Sequence, residues 1–261
     1  MNKLLVKFII LTYIVFFIFI GIIGFILFML KQETLANVLT TISAWSSTFV
    51  FLFLFKKINP TEKVLDYVKK QFSERIKIST LLLLICLMTF ILISNIIAIG
   101  FINNLKFSEL IILSPKTLLV LFFTTLISGP MGEELGWRSF FQIELQKKYQ
   151  PIIAGIITGI FWGFWHSPLW FITTGLTGIN LLIYCISFMV AIVSFSVIIA
   201  LLYNKNRNLI IPILGHQLFN YFLGIQKTEI ILLLIISAIF LFVAALILSI
   251  IHNKIFGGRK D

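Results

Sequence analysis

The chain has 261 residues, of which 59% are hydrophobic and 12% charged, where soluble domains average roughly 45 to 50% and about 25%. A mean hydropathy of +1.07 and 28 Phe exclude a soluble globule and also a disordered chain, which would lack apolar surface to bury. The net charge of +11 would suggest nucleic acid in a soluble protein, but membrane proteins collect Lys and Arg in cytoplasmic loops for insertion, so the expected partner is a lipid bilayer and not nucleic acid. The composition reads as an all-α, polytopic membrane helix bundle.

Apolar runs bounded by charged or turn-forming clusters fall at about 8–30, 35–55, 79–102, 117–143, 151–173, 179–203, 209–224 and 228–251. They predict about eight spans. The first is too long for a signal-peptide core and lacks an A-x-A-like cleavage site, so it is expected to stay as an anchor. Between the second and third runs, Lys56 to Lys77 interleaves Val64, Leu65, Val68 and Phe72 with basic residues, as a connecting helix or one lying on anionic headgroups would. Cys86 and Cys185 sit inside apolar runs and imply no disulfide. The seventh run is short and carries Pro212, which predicts a tilted or broken span.

Loop charges test this segmentation. Lys3, Lys7, Lys56, Lys57, Lys63, Lys69, Lys70, Arg75, Lys77, Lys147, Lys148, Lys205, Arg207, Lys254, Arg259 and Lys260 fall on one side, against Lys31, Lys106, Lys116 and Lys227 on the other. The positive-inside rule then puts both termini in the cytoplasm, and a chain rich in Phe, Ile and Lys suits a bacterial cell membrane. Three segments follow: 1–116 with the first spans and the basic loop, 117–224 with most of the polar residues inside spans, and 225–261 with a last span and a cytoplasmic tail.

Of ten acidic residues, only the adjacent Glu133 and Glu134 lie inside an apolar run, with Arg138 four positions after Glu134. A charge at mid-span costs roughly 2.5 to 3.5 kcal/mol on the insertion scale, which marks a functional site by default. A purely structural ion pair at i,i+4 would account for Glu134 and Arg138, but Glu133 points about 100° away and needs another partner. Gly129, Pro130, Gly132 and Gly136 loosen the helix there. His166 stands just before Ser167-Pro168 in an aromatic stretch suited to packing or to shaping a peptide groove. His216 and Asn220 share a helix face at i,i+4. Together these residues supply a general base, a second imidazole, an orienting cation and hydrogen-bond donors, the inventory of a hydrolase. Neither a G-x-S-x-G elbow nor an H-E-x-x-H helix occurs.

On these residues the chain resembles the CAAX-protease and bacteriocin-processing family of intramembrane proteases, also called the Abi family. Glu133-Glu134-Leu135-Gly136-Trp137-Arg138 matches its E-E-x-x-x-R motif, Trp162 to His166 resembles its aromatic-x-x-x-His motif, and His216 to Asn220 matches H-x-x-x-N. The resemblance runs from about Leu118 to Gly224. Trp162 stands where Phe is common, and Ser139 follows the Arg where Gly is frequent. The resemblance implies a membrane endopeptidase with a cavity opening toward the cytosol, Glu133 and His166 activating water, His216 and Asn220 holding the oxyanion, and Glu134 with Arg138 supporting them. It also leaves open a zinc site at His166, His216 and Glu133, with no cofactor as the favoured expectation. Expected substrates are membrane-associated peptides or proteins, such as a prenylated C-terminus, a peptide pheromone or a bacteriocin precursor. A non-catalytic scaffold or immunity protein of the same family is the alternative. A proton-coupled transporter is disfavoured by the lack of inverted repeats.

Overall fold

The computed structural model describes residues 3–256; the tail expected at 257–261 lies outside them. Among the described residues the chain is a bundle of α-helices with no strand, and all eight apolar runs are helical. Five helical segments are long and apolar enough to cross a membrane: Lys3–Leu30, Ile78–Asn103, Pro115–Gln146, Gly178–Lys205 and Ile230–Lys254. The first consists of α1 (Lys3–Phe25) and a π turn (Ile26–Leu30). The second run divides into α2 (Glu33–Ser43) and α3 (Ser46–Ile58), bent by 47°, a sixth span if counted together. The fifth and seventh runs form short helices of 15 residues each, Pro151–Trp165 and Ile210–Gly224, below the roughly 20 residues that cross a hydrocarbon core. The chain is a multi-pass membrane protein.

After α3, the basic segment forms α4 (Val64–Gln71), and α5 (Ile78–Asn103) leads to the single turn α6 (Phe107–Leu110). On α4, Val64 and Tyr67 pack on the core while Leu65 and Phe72 are exposed. The long fourth run is broken by Gly129 and Pro130 into α7 (Pro115–Ile127) and α8 (Pro130–Glu134), then continues as a π segment (Leu135–Gln142) and α9 (Ile143–Gln146). Helix α10 (Pro151–Trp165) stops at His166 because Pro168 has no N–H to extend the ladder and its ring would clash with the Phe164 carbonyl. The short α11 (Ser167–Ile172) turns the chain toward α12 (Gly178–Lys205), α13 (Ile210–Gly224) and α14 (Ile230–Phe256).

The core centres on α12, which packs on α10 and α14. Gly159 permits the first contact, since a Cβ there would lie 2.7 Å from the Val193 Cα. Side-chain hydrogen bonds cross other helix pairs: Tyr13 Oη donates to the Phe161 carbonyl at 2.6 Å, and Asn95 Nδ2 to Ser237 Oγ at 2.8 Å. The loops also separate into two ends. At one, the Leu209 amide donates to the Gln71 carbonyl at 2.8 Å and Lys77 N to Asn206 Oδ1 at 2.8 Å, gathering the basic loops. At the other, the Ile112 amide donates to the Ile225 carbonyl at 2.9 Å.

This separation yields a topology test. Reporter fusions at Asp66, Lys148 and Asn206 are expected to read cytoplasmic, and those at Asn104, Gly175 and Gln226 external. Two or more reversed readings contradict the assignment.

Candidate active site

The break at Gly129 and Pro130 starts α8 anew in mid-span, so Glu133 and Glu134 fall in its first turns and not deep in a regular helix. Close approach holds this turn in place: a Cβ on Gly132 would meet the Trp45 ring at 2.6 Å, and one on Gly136 the Ser47 backbone at 2.7 Å. Trp45 Nε1 in turn donates to the Ile127 carbonyl at 3.0 Å, and Ser47 Oγ to the Glu133 carbonyl at 3.2 Å. The elbow between α2 and α3 thus braces the helix break, a role the sequence did not signal.

The two carboxylates have different surroundings. Glu134 pairs with Arg138 Nε at 3.3 Å and with His216 Nδ1 at 2.7 Å. Arg138 is wholly buried, and its Cζ lies 4.2 Å from the centroid of the Trp162 ring. The partner that Glu133 needs is also Trp162, whose Nε1 donates to Glu133 Oε2 at 2.6 Å. Trp162 therefore serves both charges, whereas its sequence neighbours Phe161, Phe164 and Trp165 have no such bond. The departure at Ser139 is absorbed locally: its hydroxyl donates to the Leu135 carbonyl at 2.5 Å, and its own carbonyl accepts from Tyr67 Oη at 2.8 Å.

Each imidazole is held at Nδ1 by an oxygen acceptor. His166 Nδ1 lies 2.8 Å from the Trp162 carbonyl, which only accepts, so Nδ1 carries the hydrogen and Nε2 keeps a lone pair. His216 Nδ1 lies 2.7 Å from Glu134 Oε1 and donates to that carboxylate; Nε2 donates as well in the imidazolium form, which has a hydrogen on both nitrogens. A Cβ on Gly129 would sit 2.8 Å from Asn220 Nδ2 and 3.5 Å from His216 Nε2, so these two groups converge on the space that Gly129 leaves open.

Glu133, His166, His216 and Asn220 line one cavity of about 240 Å³ whose remaining wall is largely apolar, including Phe16, Phe188 and Leu169. Glu134 and Arg138 stand behind it. Among the described residues, no three His, Cys, Asp or Glu side chains are grouped to hold a metal ion.

Residues 115–222 match a family described as Rce1-like, type II CAAX prenyl endopeptidase. A CAAX prenyl protease 2 of Methanococcus maripaludis is 32% identical over 176 residues, covering 64% of this chain and 64% of that protein. The chain thus spans less than two thirds of this relative's length.

The geometry distinguishes the two ways of breaking the buried pair. Arg138→Ala leaves Glu134 with no cation, so unfolding free energy in detergent should fall by about 3 to 5 kcal/mol. Gly129→Ala should leave stability nearly unchanged while pushing the Asn220 amide aside, and should lower any turnover. Equal thermal stability of Arg138→Ala and wild type would contradict the assignment of Arg138 as the holder of Glu134.

Proposed function

We propose that this chain, whose residues 115–222 match the Rce1-like CAAX prenyl endopeptidase family, is an endopeptidase cleaving a membrane-associated peptide or protein with water activated by Glu133. The observation that carries the reading is the convergence of a carboxylate, an imidazole with a free lone pair and two hydrogen-bond donors on a single cavity. The apolar wall suits a lipid-modified or apolar peptide segment, and the name of the Methanococcus relative favours a prenylated C-terminus within that class. The same reading puts the protein in a cell membrane with both termini in the cytoplasm.

In this mechanism Glu133, aligned by the Trp162 indole, takes a proton from water while the oxygen forms a bond to the scissile carbonyl carbon. His166 Nε2 accepts a hydrogen bond from the same water and helps set its direction. The carbonyl electron pair moves onto oxygen, where Asn220 Nδ2 and His216 Nε2 donate hydrogen bonds to it. Collapse restores the C=O, breaks the C–N bond and returns the Glu133 proton to the departing amine. As the imidazolium, His216 donates through Nδ1 to Glu134 and through Nε2 to the oxyanion, and Arg138 holds the Glu134 carboxylate in place. No step passes through a metal.

Two measurements on purified protein test this. Asn220→Ala should reduce turnover by about 10²- to 10³-fold, the usual loss for one oxyanion donor. Activity should survive chelation and dialysis. About one zinc per chain by elemental analysis, lost together with activity in His166→Ala and His216→Ala, would overturn the glutamate mechanism.

A further inference from the structure

Behind the catalytic cavity, the helix that carries the carboxylates presents a second row of polar side chains. Glu134, Arg138, Gln142 and Gln146 recur every four positions, and through Leu135–Gln142 the helix is of π type, whose wider turn keeps such positions close to one line. Arg138 and Gln142 are wholly buried. Arg138 Nε faces Glu134, but Arg138 Nη1 and Nη2, Gln142 Oε1 and Nε2, and Gln146 Nε2 have no hydrogen-bond partner in the protein. Leaving a buried polar group unpaired costs about 1 to 3 kcal/mol, so five such atoms on one row would not persist in a dry interior.

The row has polar surroundings at both ends. Gln146 Oε1 accepts from Arg207 Nη2 at 2.7 Å. Arg207, with Tyr67, Lys70, Ser139, Lys147 and Tyr203, lines a second cavity of about 540 Å³ among the basic loops. At the far end Glu134 meets His216, which lines the catalytic cavity. An apolar substrate lying in the catalytic cavity would close its mouth to water, yet hydrolysis consumes one water per bond cut.

We propose that the Glu134–Arg138–Gln142–Gln146 row holds a file of ordered water running from the cavity among the basic loops to the carboxylate pair, with Gln142 as the positioning residue at its middle. Each water in such a file finds the two to four polar partners it needs from successive side chains. The file refills the site from behind while substrate occupies the front. The supply role rests on the hydrolytic reading above, but the file itself does not.

The test uses the full chain in lipid nanodiscs, with Gln142→Met as a near-isosteric apolar block and Gln142→Asn as the polar control. Hydroxyl radicals generated from water by X-rays should rapidly label Trp137, Phe140 and Phe141, which are at most 2% exposed, in wild type and in Gln142→Asn. In Gln142→Met that labelling should fall severalfold while thermal stability is kept or raised. Turnover of Gln142→Met should drop roughly tenfold or more with KM unchanged, and Gln142→Asn should stay near wild type. Slow labelling in wild type overturns the file. Rapid labelling with an unchanged Gln142→Met turnover overturns its supply role. A Gln142→Met protein that loses stability and raises KM makes Gln142 merely structural and contradicts the proposal. If the chain cleaves nothing, the labelling alone decides whether the file exists.

Discussion

A guanidinium with no exposed surface, held between the Glu134 carboxylate and the face of Trp162, is the contact on which the rest of the site depends. Removing two charges from water is expensive, and their attraction offsets that only when the geometry is fixed on every side. Here Trp162 covers one side, His216 takes the second carboxylate oxygen, and the aromatic residues Trp137, Phe140 and Phe141 pack about the helix from beyond. Through Glu134 the same contact holds His216 at Nδ1, and through Trp162 it orients Glu133. A structural ion pair and a chemical site are therefore one arrangement, and the two readings of the motif do not compete.

That arrangement explains the irregular backbone. A continuous α-helix from Pro115 to Gln146 would carry Glu133 and Glu134 on a regular face, with Gly129 unable to leave the gap into which Asn220 and His216 project. The break at Gly129 and Pro130 opens the gap, and the π segment spaces the polar row that follows. Such backbone is tolerated at membrane depth where protein surrounds it, and the elbow at Trp45 and Ser47 provides that cover.

Much of this was legible in the sequence because a charge in an apolar run has few innocent explanations. Glu133, Glu134, Arg138, His166, His216 and Asn220 stood out against their neighbours, and the structure brings them to one place. What was not legible depends on tertiary contact. Trp162 reads like Phe161, Phe164 and Trp165, and only its position against α8 makes it a hydrogen-bond donor. The 47° bend within the second run has neither Pro nor Gly to announce it, because Trp45 and its partners on α7 and α8 impose it. Gln142 drew no notice in the sequence, because its burial comes from the packing of the π segment on α3 and α10. The count of eight spans rested on apolar length; among the described residues five helical segments, or six with the bent pair, meet the length for crossing, and α10 and α13 have 15 residues each.

The central claim is that Glu133 performs hydrolysis while the fold stands without it. Replacing it with Gln keeps the shape and removes a buried carboxylate, so the variant should insert and fold as wild type does. The most direct measurement compares, by mass spectrometry, the membrane-associated peptides of cells carrying wild-type protein with those of cells carrying Glu133→Gln at equal abundance. The account predicts uncleaved precursors accumulating only with Glu133→Gln, each with a matching cleaved product in wild type. Identical peptide profiles, with the cellular phenotype retained by Glu133→Gln, would contradict it and make the chain a scaffold.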